Sequence, residues 1–303
     1  MTLEAKTALF IALAIVAVLF LIVLARGVRQ TRASGTPVAP TAPGLLTGFI
    51  TNFFDTLGIG SFATTTAAYR HWRMVRDEHI PGTLNVGHAL PAIMQAFIYT
   101  RIVPIDSLTL ILMIVAAVLG AWLGAGVVAQ WPRNRIQLGM GLALLGAAAL
   151  MLAAQLQLVP AGGELLRLTG TRLIIGIVAN FLLGALMTIG IGLYGPCMIL
   201  VSLLGMNPTA AFPIMMGSCA FLMPIASARF IRERAFDARA ALGLLGGGLP
   251  AVLIAAFIVK TMPLSAVRWL VVIVVTYTAV TLLLTSRRER FGAVATQPDT
   301  LAP

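Results

Sequence analysis

One acid lies deep in an apolar stretch of this chain: Asp55, in a run from residue 44 to residue 69 with no other charged side chain. A carboxylate at membrane depth is costly and marks a functional position by default, here a proton carrier, with a hydrogen bond to nearby backbone as the structural alternative. His88, one residue after Gly87, is the second candidate for proton coupling and also for substrate contact, because imidazole changes charge near neutral pH. A lone histidine is equally a packing residue. Around them stand amides and hydroxyls with the chemistry to hold a substrate: Asn52, Ser61, Thr64, Thr65, Asn85, Gln95, Asn180, Tyr194 and Ser218. Gln95 suits a cavity wall or an interhelical bond. Asn52 and Asn180 can also serve as hydrogen-bonding glue between helices, since buried amides must find partners. Cys197 and Cys219 read as small hydrophobes. No Cys-x-x-Cys or Cys/His cluster implies a metal, and no cofactor is called for. An intramembrane enzyme would need a nucleophile with its base, or paired acids. Ser61 with His88 is the only such pair, and Asp55 has no second acid.

These residues sit in a pattern that occurs twice. Gly48-Phe-Ile-Thr-Asn52 leads to Gly58-Ile59-Gly60, and Gly176-Ile-Val-Ala-Asn180 leads to Gly190-Ile191-Gly192. The first copy is shorter by four residues between the asparagine and the first glycine. Each copy is followed by a Gly-centred position read as a helix start, Gly87-His88 and Gly217-Ser218. Glycine is permissive and proline removes a donor, so a continuous helix through Gly190, Gly192, Gly195 and Pro196 is disfavoured. A helix–break–helix hairpin is predicted instead, tolerable where its bare backbone lines a protein cavity. Each break would expose the N-terminus of a second half-helix, beginning near Ser61 and Leu193, and such ends attract anions. Gly58, Gly60, Gly190 and Gly192 therefore join the substrate-binding candidates. The alternative for these glycines is close helix packing. Two halves with broken helices are the usual build of a secondary transporter.

The composition agrees. The chain has 303 residues, 59% of them hydrophobic and 10% charged, with mean hydropathy +0.97, against about 25% charged in soluble domains. The net charge of +11 does not read as nucleic-acid binding, because the basic residues cluster between apolar runs as topology signals. Candidate membrane segments are 7–25, 44–69, 83–101, 107–130, 136–158, 173–206, 210–229, 240–260 and 264–285, each near the length a bilayer requires or longer. If 44–69 and 173–206 are hairpins, fifteen of the 21 basic residues fall on the cytoplasmic side: Arg26, Arg29, Arg32, Arg70, Arg73, Arg76, Arg133, Arg135, Arg229, Arg232, Arg234, Arg239, Arg287, Arg288 and Arg290. That bias favours halves of opposite orientation. The charge of the first segment follows its apolar run, unlike a signal peptide, so 7–25 is read as an uncleaved helix. The fold expected is an all-α polytopic membrane protein with two inverted repeats, Gly-interrupted helical hairpins and one extra N-terminal transmembrane helix. Its parts are 1–32 (that helix), 33–43 (connector), 44–158 and 173–285 (repeats), 159–172 (linker) and 286–303 (cytoplasmic tail). Arg70, Trp72, Arg73 and Arg76 read as an interfacial anchor, and Met215, Met216 and Met223 as core.

The duplicated Gly48…Asn52…Gly58-Ile-Gly60 and Gly176…Asn180…Gly190-Ile-Gly192-Leu-Tyr-Gly-Pro196, with Thr83-Leu-Asn-Val-Gly-His88 and Pro213-Ile-Met-Met-Gly-Ser218 downstream, resemble the sulfite exporter TauE/SafE family, also called the 4-toluene sulfonate uptake permease family. The likeness spans 44–285. It departs at Ser61-Phe62-Ala63, where that family carries a glycine-rich run. The resemblance implies a permease or exporter of sulfite, sulfonates or related small anions, multi-pass in a bacterial inner membrane with the C-terminus cytoplasmic. Its partners would be the small anionic substrate and the lipid bilayer, not nucleic acid, and a homo-oligomer is compatible. A metal or cation carrier is the alternative within transport. No Gly-x-x-x-x-Gly-Lys-Ser/Thr loop supports ATP use.

Overall fold

A computed structural model describes residues 3–128, 133–156, 158, 163–187, 193–261 and 263–295, and among them the regular structure is helical. The helices are α1 (Leu3–Ala33), α2 (Ala42–Thr56), α3 (Ser61–His71), α4 (Ile80–Ile102), α5 (Ser107–Val128), α6 (Arg133–Gln155), α7 (Gly170–Met187), α8 (Tyr194–Leu203), α9 (Ala211–Arg232), α10 (Ala238–Thr261) and α11 (Leu264–Ala295). Single 3-10 turns, Asp77–His79 and Pro208–Ala210, lead into α4 and α9. Four spans are long and apolar enough to cross a membrane: Glu4–Ala33, Gly170–Met187, Pro208–Arg232 and Ala238–Ile258. Large apolar side chains stand exposed on them, among them Ile11, Ile15, Val18 and Leu19 on α1, Ile174 and Val178 on α7, and Phe257 on α10. Lipid accommodates such surfaces and water does not.

The first expected interruption is present as a break between helices, and the second falls on residues 188–192, outside the described residues. Thr41 caps α2 by accepting from the Gly44 N–H at 3.2 Å. Four residues then separate α2 from α3, and in them Gly58 (φ +97°) and Gly60 (φ +82°) adopt left-handed backbone that a side chain would resist. α7 and α8 are likewise separate. Gly190 and Gly192, which carry the sequence argument for that break, lie outside the described residues. Both pairs double back. Gly44 at the start of α2 touches Gly243, and Tyr69 near the end of α3 donates its hydroxyl to the Ala240 carbonyl at 3.4 Å. Both ends of the first pair therefore meet the start of α10. In the second pair Leu165, before α7, bridges to Met206, after α8.

Some boundaries differ from the sequence-based expectation. Gly87-His88 and Gly217-Ser218 do not start helices. α4 begins at Ile80 and α9 at Ala211, with Pro81 and Pro213 in their first turns, where proline costs no hydrogen bond. The two glycines admit neighbours instead: a Cβ on Gly87 would stand 2.7 Å from Leu244, and one on Gly217 2.5 Å from Ile114. α11 continues past residue 285 through Arg287, Arg288 and Arg290 to Ala295, because no proline interrupts it there.

The helices pack in four main pairs, α2 with α10, α5 with α7, α4 with α9 and α6 with α11. Small residues set the close seams. A Cβ on Gly184 would overlap the Ala117 carbonyl, one on Gly120 the Phe181 carbonyl, and one on Gly247 the Leu45 carbonyl. The core gathers on α4, α8 and α9, with Cys197, Met198, Phe212, Met215 and Met216 buried and Tyr99 stacked on Phe212 at 5.0 Å. Contacts sort the termini to two ends. At one, Gly27 of α1 meets Ile231, the start of α4 meets Ala235, and Thr83 Oγ1 accepts from the Asp237 N–H at 2.9 Å. At the other, Lys6 donates to the Arg101 carbonyl at 3.3 Å, and the Leu168 N–H donates to Thr109 Oγ1 at 3.1 Å. The 23 residues of α4 hold these ends about 34 Å apart.

Candidate functional site

Asp55 occupies the last turn of α2, and the glycine break folds the start of α3 back over it. Its Oδ1 accepts the Ser61 N–H at 2.6 Å, so the carboxylate caps α3. A negative group is favoured there by the unpaired first-turn N–H groups and the helix dipole. Oδ2 accepts from Gln95 Nε2 of α4 at 2.9 Å and from the Tyr194 hydroxyl of α8 at 3.4 Å. The one Tyr194 proton is shared with Gln95 Oε1, at 3.1 Å, and Gln95 Nε2 donates to Thr56 Oγ1 at 2.9 Å. Tyr99 completes the cluster by donating to the Thr56 carbonyl at 2.9 Å. Four helices thus converge on one buried carboxylate, and each donor comes from a different element.

His88 belongs to a second, adjoining network. Its Nδ1 pairs with Asn52 Oδ1 at 2.9 Å and its Nε2 with Thr65 Oγ1 at 3.1 Å, tying α4 to both α2 and α3. Asn52 Nδ2 donates to the Gly48 carbonyl of its own helix at 2.7 Å and to the Leu244 carbonyl of α10 at 3.4 Å. Asn180 donates to the Met113 carbonyl of α5 at 2.6 Å. Each asparagine therefore bonds a backbone carbonyl of the helix packed against it, as interhelical glue does. The two differ in one respect: Asn180 Oδ1 is buried with no partner among the described residues, whereas Asn52 Oδ1 has His88. Ser218 returns its hydroxyl to the Ile214 carbonyl at 2.7 Å, and Thr64 to Ser61 at 2.9 Å.

A cavity of about 2200 Å³ opens onto the Asp55 cluster. Asp55, Gly60, Ser61, Tyr194 and Cys219 form its inner wall. Arg70, His71, Arg229 and Arg232 line the part at the ends of α3 and α9. From Cys219 to Glu233 along α9 is about 20 Å, so the cavity reaches roughly half-way through the helical layer. Glu233 pairs with Arg229 at 2.9 Å on the exposed helix end, which leaves the mouth positive overall. Of the expected site residues, Asp55, Gly60, Ser61, Asn85 and Tyr194 are on this wall, and Gln95 reaches it through its bonds. Asn52, Gly58, Thr64, His88, Asn180 and Ser218 are outside it. Asn85 donates to the Pro81 carbonyl at 2.9 Å.

Sequence reasoning passed over several wall residues. Tyr277, Thr278, Thr281 and Thr285 present one face of α11 to the cavity. Their three- and four-residue spacing was the available signal. Trp122 on α5 and the Arg229/Arg232 pair were also missed as wall residues, the arginines because their spacing reads equally as a topology signal. Among the described residues no cluster of three metal-ligating side chains occurs. No protein family matches the chain, and no curated protein or solved structure is significantly similar to it.

Proposed function

We propose that this chain is a secondary membrane transporter for a small anion, with sulfite, a sulfonate or a related sulfur-containing or organic anion as substrate. The observation that carries this is the cavity, which joins a cationic mouth at Arg70, Arg229 and Arg232 to a polar floor where two interrupted helices meet. The arginines would concentrate anions at the entrance. The floor carries N–H and hydroxyl donors, from Ser61 and Tyr194. Resemblance to the TauE/SafE family supports the same substrate class.

Two inverted repeats fit the packing. The α2–α3 pair has its open ends at the start of α10, and the α7–α8 pair has its open ends at the start of α5, at the opposite end of α4. Equivalent helices exchange partners, α10 packing on α2 and α5 on α7. Arg70, Arg229, Arg232 and Arg239 share one end of the molecule, which the positive-inside tendency places in the cytoplasm. That orientation makes the C-terminus cytoplasmic, and the resemblance to the TauE/SafE family implies a bacterial inner membrane.

The test is flux. Purified protein in liposomes is expected to move sulfite or methanesulfonate down a gradient, and protein-free liposomes are not. Asp55 favours a cation carrier as the second candidate, because a buried carboxylate also suits a cation. Cation flux from the same liposomes, with none for a broad anion panel, would establish that alternative and refute the anion assignment.

A further inference from the structure

Building on the anion-transport function above, we propose that Asp55 is a tethered anion that competes with the transported anion for the start of α3, so that one proton binds Asp55 for each anion carried. The first N–H of α3, that of Ser61, lies at the cavity floor, where an incoming anion would be held. That N–H is already taken: Ser61 donates it to Asp55 Oδ1 at 2.6 Å. Two negative groups cannot share one donor set, away from bulk water, without strong mutual repulsion. The internal carboxylate must be neutralised before the substrate settles.

The surroundings leave a proton as the neutralising agent. Asp55 faces Ser61 from α3, Gln95 and Tyr99 from α4, Tyr194 from α8 and Cys219 from α9. None of these carries positive charge at neutral pH. His88 is turned away, with both ring nitrogens bonded to Asn52 and Thr65. The three groups bonded to the carboxylate are all donors, a set that complements its charged form. Asp55 is buried but borders the cavity, and a proton can arrive from that side.

The cycle balances simply. A proton from cavity water adds to Asp55, and the neutral acid releases the Ser61 N–H. The anion takes that donor. On the far side the anion leaves, Asp55 returns its proton to water, and the carboxylate caps α3 again. A monovalent anion moving with one proton transfers no net charge, so transport is insensitive to membrane voltage.

The probe is methanesulfonate, which stays ionised at all working pH values, so any pH dependence belongs to the protein. In proteoliposomes an inward methanesulfonate gradient should draw one proton inward per sulfonate, and an imposed voltage should leave the rate unchanged. Equilibrium binding should weaken by about tenfold per pH unit on the alkaline limb, as linkage of one proton requires. Asp55→Asn should flatten that profile and abolish proton movement. Sulfonate flux without protons, flux that follows voltage, a flat wild-type profile, or an unchanged profile in Asp55→Asn would each overturn the proposal while leaving anion transport standing. The wild-type measurements decide the matter even if the variant fails to fold. Absence of any anion flux from the wild type would instead refute the transport function and, with it, this inference.

Discussion

Asn52 and Asn180 occupy matching places in a duplicated motif yet do different amounts of structural work. Asn52 bonds Gly48, Leu244 and His88, whereas Asn180 bonds Met113 alone and leaves its oxygen without a described partner. Removing Asn52 strands a buried imidazole nitrogen, and an unsatisfied buried polar group costs about 1–3 kcal/mol. Asn52→Leu should therefore lower the melting temperature in detergent more than Asn180→Leu, and the reverse order would contradict the His88 network. The motif was legible as a repeat, and so was the ambiguity between substrate contact and helix glue. The sequence carried no sign that His88 would turn from the cavity toward Asn52 and Thr65. That outcome depends on α3 folding back beside α4, a geometry set by Gly58 and Gly60 and by partners far along the chain.

At the scale of helices, the seams between α5 and α7 and between α2 and α10 depend on missing side chains. A valine at position 184 has no room beside the Ala117 carbonyl, because both helix backbones are in contact there. Gly184→Val is expected to abolish monodisperse protein in size-exclusion chromatography. Gly146→Ala is the control: nothing approaches that position on α6, and alanine in a helix is about 0.5–1 kcal/mol better than glycine. Equal behaviour of the two variants would mean the seam is not tight. The broken helices were foreseeable from glycine and proline spacing. Helix starts were less so, since Gly87 and Gly217 mimic the permissive residues of a boundary while serving close approach from inside a helix.

Over the whole molecule, charge and shape act together. Arg229 and Arg232 lie at the end of the cavity opposite Asp55, about 15–20 Å along α9 from Cys219, so their effect on the substrate is long-range attraction rather than contact at the floor. Arg229→Gln with Arg232→Gln should reduce the initial uptake rate several-fold at low salt, with the difference shrinking at high salt as screening removes the field. A salt-independent deficit would point to a structural role. Orientation is open to direct measurement as well. Thr36→Cys and Arg73→Cys, both at exposed positions, should react with an impermeant maleimide from one side of the membrane and Leu166→Cys from the other. Labelling of all three from the same side would eliminate opposed repeats.

Composition by itself pointed to a membrane protein, because a chain with 59% hydrophobic and 10% charged residues is far from the balance of a soluble domain. Local chemistry determined where helices break, since glycine and proline act through their own backbone. The tertiary structure alone decided which polar groups meet. Asp55, Gln95 and Tyr194 are separated by 40 and 99 positions along the chain, and no local propensity encodes their convergence. Their meeting, and the capture of the Ser61 N–H by Asp55, arise from four helices packing around one buried carboxyl group whose donors had to come from elsewhere in the fold.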